Sequence, residues 1–529
     1  MDFKKQKYDR QLRLWNKSGQ SQLESSNIAL FNASATGTEA LKNLVLPGIK
    51  SFTIFDTKLV TQKDISKNFF IDVDKVNEST KRGALITELL GELNDMVTGT
   101  YEDIDLHNYL KTKPDQLTQF TLIILSKELD TSEEDLIQLS ELCEANNIPL
   151  ILTEAVGFVG YLKVAAQEHT IVETHPDSLV DLRLVDPFAE LIEFTESFGN
   201  IDEIQDADKF NQIPSVILLL HYLQKWKNSN EGRVPSNYKE KKQFKETLPV
   251  LKKEFVDLDN LSEALEYVNF HVKPYQVPRD ILALFDSHDL NLAQNSSNFW
   301  VLVKSLKQYY ENEGEGKYLP VTGAIPDIRT STDSYIKLKQ IYQQKAESDK
   351  VNFLNYLTKN LQELGRPEDF IEADDVTIFC KHSSYLKVQN YDKIHKEYNE
   401  TINVKQSLFN QNEDTWFYIA LLARHKFIKE HSRLPNHEVD TEAFNADIAT
   451  LESIITPIIN SWGISDTSAL KNYLVEVSRS GEFELTTTAS VIGGLIAQES
   501  IKLITRQYVP IEGVALFNGV KGSISTFKI

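Results

Sequence analysis

Asn27-Ile28-Ala29-Leu30-Phe31, followed at once by Asn32-Ala33-Ser34-Ala35-Thr36-Gly37, decides how this chain folds. The first five residues read as a short buried strand. The segment after the turn places Ala40, Leu41, Leu44 and Val45 at helical spacing. A strand that passes through such a turn into a helix opens a βαβ unit. In nucleotide-binding units of this kind the turn reads G-x-G-x-x-G. Its second glycine lets a pyrophosphate approach the backbone, and its third packs the helix on the strand. Here only the third survives, as Gly37, and the side chain of Ser34 stands where the phosphate would meet bare backbone. The turn is therefore expected to keep its architecture and lose its ligand contact. Asp56 ends a second strand, Phe52 to Asp56, and takes the place of the acid that would hold a ribose.

Outward from this turn, Phe120 to Leu125 and Pro149 to Leu152 are further strand candidates. From about residue 170 the texture changes to charged amphipathic helices with aromatic anchors such as Trp226, Trp300 and Trp416. Near the end α/β character returns. Val491 to Glu499 forms an apolar helix that Thr486, Thr487 or Thr488 can cap. Val514 to Phe517 and Ser523 to Ile529 follow as strands around the turn signal Asn518-Gly519. The expected fold is α/β: a Rossmann-like domain begun by residues 1–170, split by a mainly helical insertion over 171–480, and completed by 481–529.

Composition narrows the function. The 529 residues include 77 acidic and 56 basic ones, giving a net charge of −21, which disfavours nucleic acid and anionic membrane as partners. Two cysteines, Cys143 and Cys380, and no C-x-x-C pair leave no disulfide framework and no thiolate metal site. No metal-binding cluster is expected. Met1-Asp2-Phe3-Lys4-Lys5 lacks an apolar signal core, and no run approaches the ~18 apolar residues that span a bilayer, so a cytoplasmic or nuclear protein is expected. Cys143 falls among Leu136, Ile137, Leu139 and Leu142 on an amphipathic helix, whereas Cys380 follows Val376-Thr377-Ile378-Phe379, which reads as a buried strand. Neither offers the exposed, electropositive setting of a nucleophilic thiolate.

Tyr8-Asp9-Arg10-Gln11-Leu12-Arg13-Leu14-Trp15 and the stretch from Asn32 to Ile49 closely resemble the start of the ubiquitin-like-protein activating enzymes. The likeness continues through Asn68-Phe69-Phe70, His175-Pro176-Asp177, Gly232-Arg233-Val234-Pro235, Leu319 to Asp327 and Val491 to Glu499. It covers essentially the whole chain, and it is greatest to the branch of regulatory subunits that serve neddylation. Active members hold ATP through an Asn, an Arg and a Gln after the second-strand Asp. Asp64, Lys67 and Asn68 stand in those places here, and Ser126-Lys127-Glu128 replaces the family's later metal-binding Asp pattern.

The resemblance implies a pseudo-adenylation domain and an insertion similar to half of a catalytic-cysteine domain without its cysteine. It implies a heterodimer with a cysteine-bearing catalytic subunit, which would hold ATP and magnesium, adenylate the C-terminal glycine of the neddylation modifier and receive it on its own cysteine. This chain would bind no cofactor, its turn residues Asn32, Ser34, Gly37 and Asp56 being degenerate, and it would supply Arg10 in trans to the partner's ATP site. A guanidinium suits that task because adenylyl transfer builds negative charge on phosphate oxygens. A solvated basic face formed by Lys4, Lys5, Lys7, Arg10 and Arg13 is the alternative use of the same residues. The resemblance also implies that Thr322, Ile325, Pro326, Asp327 and Tyr335 meet the partner, although the same residues suit a capped loop of the insertion. The competing functions are a regulatory subunit for sumoylation, which is shorter in its family, an independent Rossmann oxidoreductase, and a pure scaffold.

Overall fold

The computed structural model describes residues 6–174, 180–249, 258–391, 402–409 and 412–528. His175-Pro176-Asp177, Lys4 and Lys5 lie outside the described residues. The chain divides into two compact units, one made of Met1–His169 with Val388–Ile529, the other of Thr170–Lys387.

The first unit is built on an eight-stranded sheet of order β10-β9-β6-β5-β4-β1-β2-β3. Strands β1 (Asn27–Phe31), β2 (Ser51–Phe55), β3 (Thr98–Glu102), β4 (Leu122–Ser126) and β5 (Leu150–Val156) run parallel. β6 (Val159–Ala165) turns back antiparallel against β5, and β9 (Val514–Asn518) and β10 (Ser523–Phe527) extend the sheet by antiparallel pairing. A separate two-stranded sheet joins β7 (Glu168–Ile171) and β8 (Lys387–Asn390). The central parallel strands β1, β4 and β5 are buried almost throughout, as a sheet covered on both sides requires, whereas the edge strand β3 is polar and partly exposed. Alternation along β1 separates the two faces: Ala29 and Phe31 enter one core, Ile28 and Leu30 the other.

On the Ile28 face lie α1 (Asp9–Ser25), α2 (Ala35–Val45) and the late helix Thr486–Thr505, here α8. Gly493 of α8 lets that helix meet α2 closely, since a β-carbon there would stand 2.5 Å from Glu39 Cβ and 2.9 Å from the Ala40 nitrogen. The threonines expected to cap α8 do not: its cap residue is Leu485, without a side-chain bond. Thr486 and Thr488 instead donate to the carbonyls of Lys67 and Gly157.

On the Phe31 face lie α4 (Glu133–Ala145) together with α5 (Thr415–His431), α6 (Glu442–Ser461) and α7 (Leu470–Arg479). This corrects the expected boundary at 480. The second unit ends at Lys387, and α5 to α7 bury Ile419, Phe427, Leu451, Ile455 and Leu474 in one core with Phe31, Ile123 and Leu150. Their amphipathic texture matched that of the insertion because periodicity marks an apolar face without naming what covers it. Cys380 is a second correction: its segment is a helix, Ala373–Lys381, with Val376, Phe379 and Cys380 buried at helical spacing despite the strand-like run before it.

The second unit has its own core, in which Leu191, Phe210, Leu219, Phe244, Val268 and Tyr342 are buried. Its longest helix runs over Thr332–Glu363.

Candidate functional site

The turn after β1 places Asn32 at φ 65°, in the left-handed region. Asparagine tolerates that conformation better than other residues with a side chain, which is why it can replace the first glycine. Its amide donates to the carbonyl of Ser126 at 2.8 Å. Ser34 caps α2, its hydroxyl accepting from the Gly37 amide at 3.0 Å and lying 2.6 Å from the Ser126 hydroxyl. Gly37 has its expected packing role, because a β-carbon there would come within 2.8 Å of Leu30.

A helix N-terminus presents backbone donors to an anion. Here those donors meet carboxylates of the chain itself. The Ala33 amide donates to Asp56 at 2.9 Å, and the Ala35 amide donates to Glu484 at 2.8 Å. The Thr36 hydroxyl donates to the second oxygen of Glu484 at 3.2 Å. Glu484 belongs to the link between α7 and α8 and is 6% exposed. Burial raises its pKa, with Lys67 and the Ala35 and Thr36 donors opposing.

The acid in the ribose position is engaged as well. Asp56 is 1% exposed and receives the Nε of Arg82 at 2.7 Å. Arg82 opens helix α3 (Arg82–Gly91), and its guanidinium also reaches Glu128 at 2.9 Å and Asp64 at 3.5 Å. Burial opposes its charge, yet Glu128 and Asp56 outweigh burial and raise its pKa. Burial likewise favours a neutral Glu128, but Arg82 and Lys58 bring that carboxyl down to about 2.

The three positions that stand in for the family's ATP-holding residues are used locally. Asp64 completes a capping box with Thr61, Lys67 lies 3.7 Å from Asp64, and Asn68 donates to the Thr38 hydroxyl at 3.1 Å. A cleft of about 1090 Å³ remains beside them. Its far wall carries Glu154 of β5, which accepts from Arg424 at 2.8 Å and lies 2.6 Å from His425 Nε2. Lys127 Nζ sits 3.0 Å from His425 Nδ1, an arrangement that suits a neutral ring protonated on Nε2. Burial lowers the His425 pKa in the same sense. Of the cations that line the cleft, Lys58, Lys63, Lys67, Arg82, Arg424, Lys429 and Arg433 pair with the chain's own carboxylates.

Sequence reading found Asn32, Ser34, Gly37 and Asp56, and the structure brings them together. It missed Arg82 and Glu484, because nothing in Lys81-Arg82-Gly83 or in Phe483-Glu484-Leu485 signals the distant partner.

Both thiols are closed off. Cys143 is 2% and Cys380 4% exposed, and burial pushes each up to about 12. Arg10 stands at the other extreme: it is exposed and makes no ion pair among the described residues, whereas its neighbour Arg13 pairs with Asp9 at 2.8 Å. In the second unit, Ile325 and Tyr335 pack against that unit's core. Thr322 accepts from the Ala324 amide at 3.2 Å, Pro326 is half-buried and Asp327 is exposed.

Residues 8–529 match the ThiF family. The chain belongs to the ThiF family. Within this family its full-length relatives are regulatory subunits of the NEDD8-activating enzyme, and that is its branch. The NEDD8-activating enzyme E1 regulatory subunit of Xenopus laevis is 36% identical, covering 100% of this chain and 99% of its own length. The protein of the same name from Gallus gallus is 36% identical, covering 100% and 98%. The regulatory subunit AXR1 of Arabidopsis thaliana is 33% identical, covering 99% and 96%. ThiF membership accords with the Rossmann-like sheet. No helix among the described residues is long and apolar enough to cross a membrane.

Proposed function

We propose that this chain is the regulatory half of a heterodimeric E1 that activates NEDD8, working in the cytoplasm or nucleus with a catalytic subunit that carries the reactive cysteine. The partner holds ATP and magnesium, adenylates the C-terminal glycine of NEDD8 and accepts it as a thioester. This chain holds no nucleotide of its own and lends Arg10 to the partner's phosphates.

The observation that carries this reading is the contrast between two ends of one unit. The family's phosphate cradle is filled by Asp56 and Glu484, while Arg10 is exposed without an ion-pair partner among the described residues. A guanidinium held in solvent, near a site where charge builds, stabilises transferring phosphate oxygens bidentately. The names of the full-length relatives select NEDD8 over the sumoylation modifier. In the second unit, Asp327 and the half-buried Thr322, Ile325, Pro326 and Tyr335 are proposed to face the catalytic subunit.

The test is NEDD8-dependent ATP–pyrophosphate exchange by the reconstituted heterodimer. The isolated chain is expected to be inactive. Arg10→Ala is expected to slow exchange on the order of 10²-fold without dissociating the subunits. An unchanged rate removes Arg10 from the site and leaves a scaffold.

A further inference from the structure

Arg10 sits on a helical segment, residues 9–14, that is fixed at both ends. At its start, Tyr8 is the cap residue, 2% exposed, and its carbonyl accepts from the Leu12 amide at 2.9 Å. The Tyr8 ring lies against Gly48, where a β-carbon would stand 2.4 Å from the hydroxyl oxygen and 2.8 Å from Cζ. Gly48 adopts φ +88°, so both its space and its backbone call for glycine.

The Tyr8 hydroxyl accepts from Asn94 Nδ2 at 3.1 Å, and the same nitrogen donates to the Val45 carbonyl at 2.9 Å. Asn94 is 2% exposed, and its oxygen accepts from Lys7 Nζ at 2.7 Å. At the other end the helix breaks at Trp15 and Asn16, the latter at φ 59°. Gln507 donates to the Trp15 carbonyl there at 3.0 Å. Between these two anchors the backbone that carries Arg10 has little freedom to turn about its own axis.

We propose that Tyr8, Asn94 and Gly48 form a latch that fixes the presentation of Arg10, making Tyr8 and Asn94 positioning residues for adenylation. The proposal rests on the reading of Arg10 given above and adds the residues through which that arginine is held. A tyrosine meets both requirements of the latch. Its ring fills the space over Gly48, and its hydroxyl reaches a side-chain amide that also holds the end of α2. Misplacing a catalytic cation by about 1 Å costs up to ~10²-fold in rate, so loss of the latch is expected to look like partial loss of the arginine.

The experiment is a double-mutant cycle in the reconstituted heterodimer, read as NEDD8-dependent ATP–pyrophosphate exchange. Tyr8→Ala is expected to slow exchange about tenfold when Arg10 is present and to add nothing when Arg10 is alanine. Asn94→Ala and Gly48→Ala, which open the latch from its other sides, are expected to behave alike. Tyr8→Phe, which keeps the ring over Gly48 and loses only the bond from Asn94, should slow exchange less than Tyr8→Ala does. Hydrogen exchange separates local release from unfolding: in each slowed variant the Leu12 amide should lose protection while the sheet strands keep theirs. Equal slowing by Tyr8→Ala with and without Arg10 overturns the latch and leaves the Arg10 reading standing. An inert Arg10→Ala overturns both.

Discussion

The carboxylate of Glu484 accepts a hydrogen bond from the backbone amide of Ala35 at 2.8 Å, although 449 positions of chain separate the two residues. It thereby occupies the N-terminus of α2 and closes the Rossmann-like unit onto its own late segment. An amide buried without an acceptor costs about 1–3 kcal/mol. Glu484→Ala is therefore expected to lower the unfolding free energy of the chain, read from urea titration, by an amount in that range. Glu484→Gln, which keeps an acceptor, should lower it less, and equal stability of the alanine variant with the parent would contradict this role.

Arg82 is the hub of the filled cradle, and its guanidinium is shared by Asp56, Asp64 and Glu128. Removing one member of a buried charge cluster strands the others and costs roughly 3–5 kcal/mol. Arg82→Met is expected to destabilise the chain on that scale in urea unfolding. It should not restore nucleotide binding, because Ala33 and Ala35 still donate to Asp56 and Glu484, and calorimetric titration with ATP checks this.

The pH dependence follows from two carboxyls. Glu128 and Glu154 are each brought from an ordinary 4.5 down to about 2, burial opposing and the neighbouring cations prevailing. A carboxyl whose pKa is depressed in the folded state stabilises it above the unfolded value. Both contributions are complete above about pH 4.5 and are lost as pH falls toward about 2. Glu484 runs the other way: its raised pKa means that its ionised form opposes folding as pH rises. Thermal unfolding followed across this range should show Tm falling toward acid. In Arg82→Met the part due to Glu128 should be smaller, since Lys58 alone then holds that carboxyl down.

Cys143 and Cys380 are expected to resist labelling. A thiol at about 12 carries, at pH 8, on the order of 10³-fold less thiolate than an ordinary one near 8.5. Native protein should react with an aromatic disulfide reagent at least ~10²-fold more slowly than protein in denaturant. The Cys143→Ala, Cys380→Ala double variant should leave exchange by the heterodimer unchanged. A thioester-linked modifier on this chain would sink the assignment of the reactive cysteine to the partner.

The fold was legible wherever it is written locally. Asn27 to Gly37 announced a strand, a turn and a helix, and both the survival of Gly37 and the replacement of the first glycine by Asn32 have local steric causes. The paucity of cysteine and the Tyr8-x-Arg10 pattern were equally local, as was the loss of the glycine that a phosphate needs at position 34. Where side-chain chemistry misled, as in Val376-Thr377-Ile378-Phe379, burial at helical spacing overrode the β-branched preference of the run.

Only the tertiary structure decided which core receives α5 to α7, which carboxylate fills the α2 terminus, and which amide holds Tyr8. Each joins residues far apart in the chain: Phe31 and Ile419 enter one core, Glu484 accepts from Ala35, and Asn94 donates to Tyr8. A sequence shows that a face is apolar or that a donor needs an acceptor. The partner is selected when the chain closes its long loops, since the free energy of such a contact depends on what folding brings beside it.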